Sequence, residues 1–231
     1  MQDIVTQAKA LVEFQGRKWD SRLERILVFC FASPELFPGK NATPPLTDSY
    51  LQSYISRYYL ERERPVVVTQ MGTKPDPVIN EVLQAFFGKS PSEFAAIEDA
   101  HRMSMAAENL VGGLLERYIA TLLEQNGWVW CCGNTMKAID FLKDDPAAPR
   151  LLQIKNRDNS ENSSSSAIRS GTPIEKWFRI KSRTGQTCWE KLPDNQDGVL
   201  NEHGFYQFVG DLAAVGKVQI VAAPDGGPAS E

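Results

Sequence analysis

Histidine is scarce in this chain of 231 residues, which carries only His101 and His203. Chemistry that needs several imidazoles is therefore excluded, which removes His-rich zinc hydrolases and HNH-type nucleases. Cysteine is nearly as sparse: Cys30, Cys131, Cys132 and Cys188 contain no C-x-x-C pair. A chain of this size does not need disulfide staples, so the thiols are expected to be reduced and structural. No apolar run approaches the roughly 20 residues needed to cross a bilayer, which rules out a membrane-spanning protein. The opening MQDIVTQAKALVEF, interrupted by Asp3 and Glu13, does not read as a signal peptide, so a cytoplasmic protein is expected. Glycine and proline, 16 and 14 residues, are too few for a fibrous or disordered chain. What remains is 42% hydrophobic and 23% charged, enough to bury a sizeable core in one compact domain.

An excess of positive charge is also missing, since 25 basic residues face 29 acidic ones for a formal charge of −4. That argues against a sequence-independent nucleic-acid coat protein, which needs a strongly basic surface. The distribution is uneven, however. Between Arg150 and Lys191 stand nine basic residues (Arg150, Lys155, Arg157, Arg169, Lys176, Arg179, Lys181, Arg183 and Lys191) and four acidic ones (Asp158, Glu161, Glu175 and Glu190). A local excess of this kind suits a face that meets phosphates, although a solvated charged helix gives the same count.

Apolar positions at helical spacing (Ile4, Val5, Ala8, Leu11, Val12, then Leu23, Ile26, Leu27) predict one or two amphipathic helices over residues 1–30. After a Pro-rich connector, Ser33 to Leu46, DSYLQSYISRYYLER reads as a helix with Asp48 as N-cap and Tyr50, Tyr54, Tyr58 and Tyr59 as packing residues. PVVVTQMG, Pro65 to Gly72, reads as a strand, and DPVINEVLQAFFG, Asp76 to Gly88, as a capped helix. From Ser104 a long helix is predicted with Leu110, Leu114, Leu115, Tyr118, Ile119, Leu122 and Leu123 on its apolar face, stopped at Asn126-Gly127. Three short strands follow in WVWCCG, KAIDFLKDD and RLLQIKN. Beyond the polar segment NRDNSENSSSSAIRSG, the run TPIEKWFRIKSR offers Thr172 as N-cap, Pro173 at the first turn and Glu175 as reciprocal cap, which predicts a helix. FYQFVG (Phe205–Gly210) and KVQIVAA (Lys217–Ala223) read as strands. The fold class is α/β or α+β with a mixed sheet. The expected division is a mainly helical region over 1–103, suited to dimerisation or to embracing a ligand, and a core over 104–231.

The chemistry gathers in the middle of the sheet-forming region. In LLQIK, alternation puts Gln153 and Lys155 on one strand face, and Ala138-Ile139-Asp140-Phe141-Leu142 sets a single carboxylate among apolar neighbours. A buried carboxylate is costly unless it meets a cation or a metal. If the two strands are neighbours, Asp140, Gln153 and Lys155 converge: a carboxylate and an amide oxygen suit a hard cation such as Mg²⁺, and an ammonium can orient water or neutralise phosphate charge. The substrate this chemistry suits is a phosphodiester. The competing reading is a plain cross-strand Asp140–Lys155 ion pair with Gln153 at an edge.

The segments ENLVGGLLERYIA (Glu108–Ala120), KAIDFL (Lys137–Leu142) and QIKNRDNSENSSSSAIRSGTPIEKWFR (Gln153–Arg179) resemble the PD-(D/E)xK nucleases and, more closely, the SinI-type type II restriction endonucleases. The close resemblance spans residues 104 to 192. It implies a restriction-endonuclease-like core and a homodimeric, Mg²⁺-dependent enzyme that cuts both strands of a short palindromic DNA site, GGWCC for this family, with a companion methyltransferase acting on the same site. It further implies that Asp140 ligates the metal, that the main-chain carbonyl of Ile154 adds a ligand, and that Lys155 positions the attacking water. Gln153 departs from the motif, which has Asp or Glu there, and so removes one negative charge. A glutamate on the preceding helix completes the family's site. Glu108, Glu116 and Glu124 compete for that role, with Glu116 preferred for its dense apolar surroundings and Glu108 held in reserve.

For recognition, Asn156, Arg157, Asn159 and Ser160 leave the active strand directly, and Arg169 closes the polar loop over 156–171. Arginine pairs bidentately with guanine and asparagine can read adenine, so the loop has suitable chemistry for a G-rich site; a flexible Ser-rich linker is the alternative. Lys176, Arg179, Lys181 and Arg183, with the helix N-terminus at Thr172, fit phosphate clamping. Two other functions stay open at this level. One is a DNA-binding protein whose metal site has decayed at Gln153, and the other is a structure-selective repair or junction nuclease on the same fold.

Overall fold

The computed structural model describes residues 2–39, 45–63, 66–69, 76–158, 173–215 and 218–221. These group into two compact units, each assembled from two stretches of chain: Met1–Arg64 with Leu115–Gln207, and Pro65–Leu114 with Phe208–Glu231. The first unit opens with helices α1 (Gln2–Phe14), α2 (Ser21–Ala32) and α3 (Asp48–Glu63), at the places the apolar spacing predicts. Asp20 caps α2 by accepting the Arg22 amide, a standard remedy for the orphan donors of a first turn. At α3 the cap is Thr47, whose hydroxyl accepts the Tyr50 amide at 3.2 Å, so Asp48 is the first helical residue rather than the cap. Tyr54, Tyr58 and Tyr59 are buried, and Tyr54 donates its hydroxyl to the Thr135 carbonyl at 2.9 Å, which satisfies the one polar atom that burial would strand.

The sheet of this unit has four strands, β2 (Val129–Trp130), β3 (Phe141–Lys143), β4 (Arg150–Arg157) and β5 (Ile174–Ile180), side by side in that order. The first three are antiparallel, with Trp130 opposite Phe141 and Phe141 opposite Leu152, whereas β4 and β5 are parallel, with Gln153 opposite Lys176 and Lys155 opposite Phe178. A mixed sheet flanked by helices is the restriction-endonuclease-like core that the sequence pattern implies. The four cysteines are buried and unpaired, as expected. Between β2 and β3 the chain turns through Gly133, whose φ of 67° is left-handed; a Cβ there would lie 2.4 Å from the Arg57 carbonyl oxygen of α3. Only glycine fits that contact.

Two expected elements are of the other kind. The run TPIEKWFRIKSR contains no helix among its described residues: Ile174–Ile180 is strand β5, because its amides and carbonyls are taken by β4 and Ile174, Trp177 and Arg179 are buried against the fold. Phe205–Gly210 is not a strand but lies within helix α6 (Glu202–Ala214), which Asn201 caps by accepting the Gly204 amide at 2.9 Å.

In the second unit, β1 (Val66–Thr69) pairs in parallel with β6 (Val218–Val221), as both predicted strands require. Helix α4 (Pro77–Phe87) begins at Asp76, which accepts the Val78 amide, and ends at Gly88 in the left-handed conformation. None of its residues is buried. Helix α5 (Pro91–Leu123) starts well before Ser104: Glu93 reaches back to its first turn, where the Ser90 amide and hydroxyl both donate to the Glu93 carboxylate at 2.9 Å. The position 103 thus falls inside a continuous helix that contributes to both units. Among the described residues no helix is long and apolar enough to cross a membrane.

Candidate active site

Asp140 is fixed by its backbone before its side chain does anything. Its N–H donates to the Leu152 carbonyl at 2.9 Å and its own carbonyl accepts from the Cys131 amide at 2.8 Å, so it extends the β2–β3–β4 pairing by one residue. Asp140 and Phe141 thus both face Leu152 of β4, and the Asp140 side chain reaches along that strand. Its Oδ2 accepts the Ile154 amide at 2.6 Å. Gln153 is 2% exposed, and Lys155 follows two residues on, on the same strand face by alternation. The structure brings Asp140 into the field of Lys155 and sets Gln153 on the Lys155 face of β4.

Glu116 joins them from α5. Burial, then the nearby Asp140 carboxylate, push its pKa up to about 8; Glu61 adds to the rise, while the Trp130 indole N–H, donating to Oε2 at 3.1 Å, and the Lys155 ammonium oppose it. Burial likewise lifts Asp140 to about 6 against the Ile154 hydrogen bond and Lys155. Glu116, Asp140 and Lys155 therefore lie within one another's fields. The competing glutamates lie elsewhere. Glu108 is exposed, and Glu124 is held by Arg62 at 2.7 Å and Arg22 at 2.8 Å, which keep its pKa below the usual value in spite of burial.

Two desolvated carboxylates, of which Asp140 raises the pKa of Glu116, together with the Gln153 amide and the Ile154 carbonyl on β4, offer an all-oxygen donor set that a small divalent cation would relieve. Among the described residues no group of three or more acids, histidines or cysteines is placed to hold a metal. Mg²⁺ does not need one, because it keeps several waters and takes one or two protein carboxylates together with substrate phosphates. The residues present fit that ion.

The basic residues divide between the two faces of β4 and β5. Lys176 stands beside Gln153 and donates to the Asp158 carbonyl at 3.3 Å; Arg157 is exposed at the end of β4; Lys181 bonds Gln186 at 2.8 Å and Arg183 is exposed in the following turn. Asn156 and Arg179 are not brought to the Asp140 side. Arg179 donates Nε to the Asn156 side-chain oxygen at 3.0 Å, pairs with Glu202 at 2.5 Å, and lies over the Phe205 ring at 5.2 Å. Asn159, Ser160, Arg169 and Thr172 lie outside the described residues. Sequence reasoning passed over three residues that matter locally: Trp130; Asp158, which takes the Ser182 amide at 2.8 Å and so ties the end of β4 to the turn after β5; and Glu202. None stood out by spacing, since each acts on a partner distant in sequence.

With this geometry in view, the known proteins most informative about the chain are type II restriction enzymes. It is 47% identical over 159 residues to the type II restriction enzyme Eco47I of Escherichia coli, covering 68% of this chain and 69% of that one. It is 46% identical over 159 residues to the type II restriction enzyme SinI of Salmonella infantis, with the same coverage. The class is that of site-specific deoxyribonucleases. Residues 39–213 match the SinI restriction endonuclease family, and the chain belongs to it.

Proposed function

We propose that this endonuclease cuts both strands of DNA at a short palindromic site, GGWCC, in a Mg²⁺-dependent reaction centred on Asp140, Glu116, Gln153 and Lys155. The observation that carries the reading is the hydrogen bond that ties Asp140 to β4 beside Lys155, with Glu116 in the field of both, at the central strands of the sheet. Mg²⁺ would be held by the Asp140 and Glu116 carboxylates, the Gln153 amide oxygen and the Ile154 carbonyl; when bound it supplies positive charge for the two acids and for the phosphate. Gln153 in place of an acid leaves that set one negative charge short. Lys155 orients a water and neutralises charge growing on the scissile phosphate. The water oxygen bonds to phosphorus as the bond from phosphorus to the 3′ oxygen breaks, leaving a 5′-phosphate and a 3′-hydroxyl.

Arg157, Lys176, Lys181 and Arg183 serve as phosphate or base contacts, joined by Asn159, Ser160, Arg169 and Thr172, while Asn156 and Arg179 support β5 from behind. Cleavage of a two-fold symmetric site calls for a two-fold symmetric dimer. Helix α4 supports a second copy as its partner: Val78, Ile79, Val82, Phe86 and Phe87 are 64, 55, 40, 81 and 68% exposed, and an 11-residue helix with nothing buried gains little stability from its own chain. The two phenylalanines alone present about 300 Å². Adding the three aliphatics brings each copy to about 600 Å², near the lower bound of a stable dimer. Phe86→Glu should convert dimer to monomer in sedimentation; an unchanged dimer would remove α4 from the interface. A methyltransferase acting on the same site would protect host DNA without binding this chain.

The test of the whole reading is a plasmid of known sequence incubated with the protein in Mg²⁺ and in EDTA. Discrete fragments in Mg²⁺ alone, with ends mapping to GGWCC, are the expected result. A specific gel shift without scission across Mg²⁺ and Mn²⁺ concentrations would instead make Gln153 the mark of a dead site.

A further inference from the structure

Trp130 is held more firmly than strand pairing requires. Its amide donates to Glu124 Oε1 at 3.2 Å and its carbonyl accepts from Arg62 at 3.0 Å, so both backbone polar groups are bonded to side chains of other elements. The guanidinium groups of Arg62 and Arg117 lie over its ring at 5.6 and 5.4 Å from the centroid. Each of those arginines is itself anchored, Arg62 on Glu124 at 2.7 Å and Arg117 on Glu61 at 3.0 Å. The residue is buried in an environment of cations and acids, where a phenyl ring would fill much of the space and also face the two cations. The group that distinguishes an indole from any other apolar body is its N–H, and that N–H goes to Glu116.

We infer that Trp130 is a positioning residue: it aims the Glu116 carboxylate toward Asp140 and so sets how tightly the site takes a divalent cation. This rests on the reading of Glu116 as a metal ligand. Glu116 sits on a helix and Asp140 on the sheet, and a glutamate side chain has three rotatable bonds, so without a fixed donor it can turn away from a repelling carboxylate. A single hydrogen bond from a ring that cannot move holds the two acids together before the cation arrives. Partners that orient metal ligands in this way are worth about 10–100-fold in metal affinity or activity.

The test compares Trp130→Phe, Glu116→Gln and a protein carrying β-(3-benzothienyl)alanine at position 130, which keeps the bicyclic shape and replaces the N–H by sulfur. Mn²⁺ binding to the DNA-free protein is followed by calorimetry and the Mg²⁺ requirement by plasmid cleavage. Both Trp130 replacements are expected to weaken Mn²⁺ binding and raise the half-saturating Mg²⁺ concentration by about 10–100-fold, with cleavage recovered at high Mg²⁺. A merely structural tryptophan would lower the melting temperature without moving either metal constant, and that result overturns the inference. Should Trp130→Phe fail to fold, the benzothienyl protein decides. If Glu116→Gln abolishes Mn²⁺ binding while both Trp130 replacements behave as wild type, the role of Trp130 falls and that of Glu116 stands. If Glu116→Gln binds and cuts normally, both fall.

Discussion

The strands β4 and β5 carry two faces of opposite character. On one, Gln153 and Lys155 stand beside Lys176, with Asp140 bonded to the Ile154 amide between them and Glu116 in its field, and the acids there are lifted above their ordinary range by burial. On the other, one residue out of phase, Asn156, Trp177 and Arg179 are closed over by Trp189, Phe205 and Glu202, and the Arg179 guanidinium is matched to the Glu202 carboxylate. One face is left electrostatically incomplete; the other is complete within the chain. Charge within a sequence segment therefore says little until the pleat decides which side each residue serves.

The sharpest way to break that contrast is Asp140→Ala. It should lower the cleavage rate by about a thousandfold or more while the DNA gel shift survives, as removal of an electrostatic element of the transition state does. Cleavage that stays metal-dependent and undiminished would show that this face is not the catalytic one. On the opposite face, Arg179→Met should leave activity per folded molecule intact and instead lower stability by about 2–3 kcal/mol, read as a fall of about 5–10 °C in melting temperature, because half-buried Glu202 loses its cation and keeps only the Trp189 indole N–H. Pairing it with Glu202→Gln should recover part of the loss in a double-mutant cycle.

A third measurement uses pH in the absence of divalent cations. Glu116 and Asp140 have folded-state pKa values of about 8 and about 6, above their ordinary 4.5 and 3.8. The folded chain thus binds more protons than the unfolded one between roughly pH 4 and 8. Their contribution to stability is complete below that window and is lost as pH rises through it, so the melting temperature in EDTA should fall by about 5 °C between pH 5.5 and 8.5. Mg²⁺ should restore it, and Glu116→Gln should flatten the profile. The smallest effect is expected from Lys176→Ala, which should weaken DNA binding several-fold, equally across sequences, and reduce the salt slope by about 1. Arg179→Met should not change that slope; if it does, the two faces are not as separate as their contacts make them.

Most of the helices were legible from apolar spacing, as in α2, or from spacing and caps together, as in α4. The limits of local signals show in one four-residue pattern that occurs twice. In Ser90-Pro91-Ser92-Glu93 the glutamate does cap a helix, whereas Thr172-Pro173-Ile174-Glu175 leads into a strand, where Glu175 pairs with Arg150 across the sheet at 3.1 Å. Parallel pairing with β4 overrode the local preference. Phe205–Gly210 misled in the reverse sense: its alternation suggested a strand, but Asn201 starts a helix whose Phe205 meets Tyr118 and Trp189. That the Asp140 segment neighbours the strand of Gln153 and Lys155 was readable, since alternation and strand order suffice. The roles of Trp130 and Arg179 were not, because each is set by partners that only the folded chain brings near.

Gly133 has a bearing on how such enzymes can be recombined. The turn it forms delivers the chain to Asp140, and its α-carbon presses on the Arg57 backbone so closely that no side chain can be added. Arg25 reaches Asp144, just past β3, and Arg22 reaches Glu124 from the same early helix. The first 64 residues therefore do not form a detachable module ahead of a nuclease: a chimera that grafted helices from a relative onto this sheet would have to carry over the turn, the glycine and the arginine partners as one inherited set.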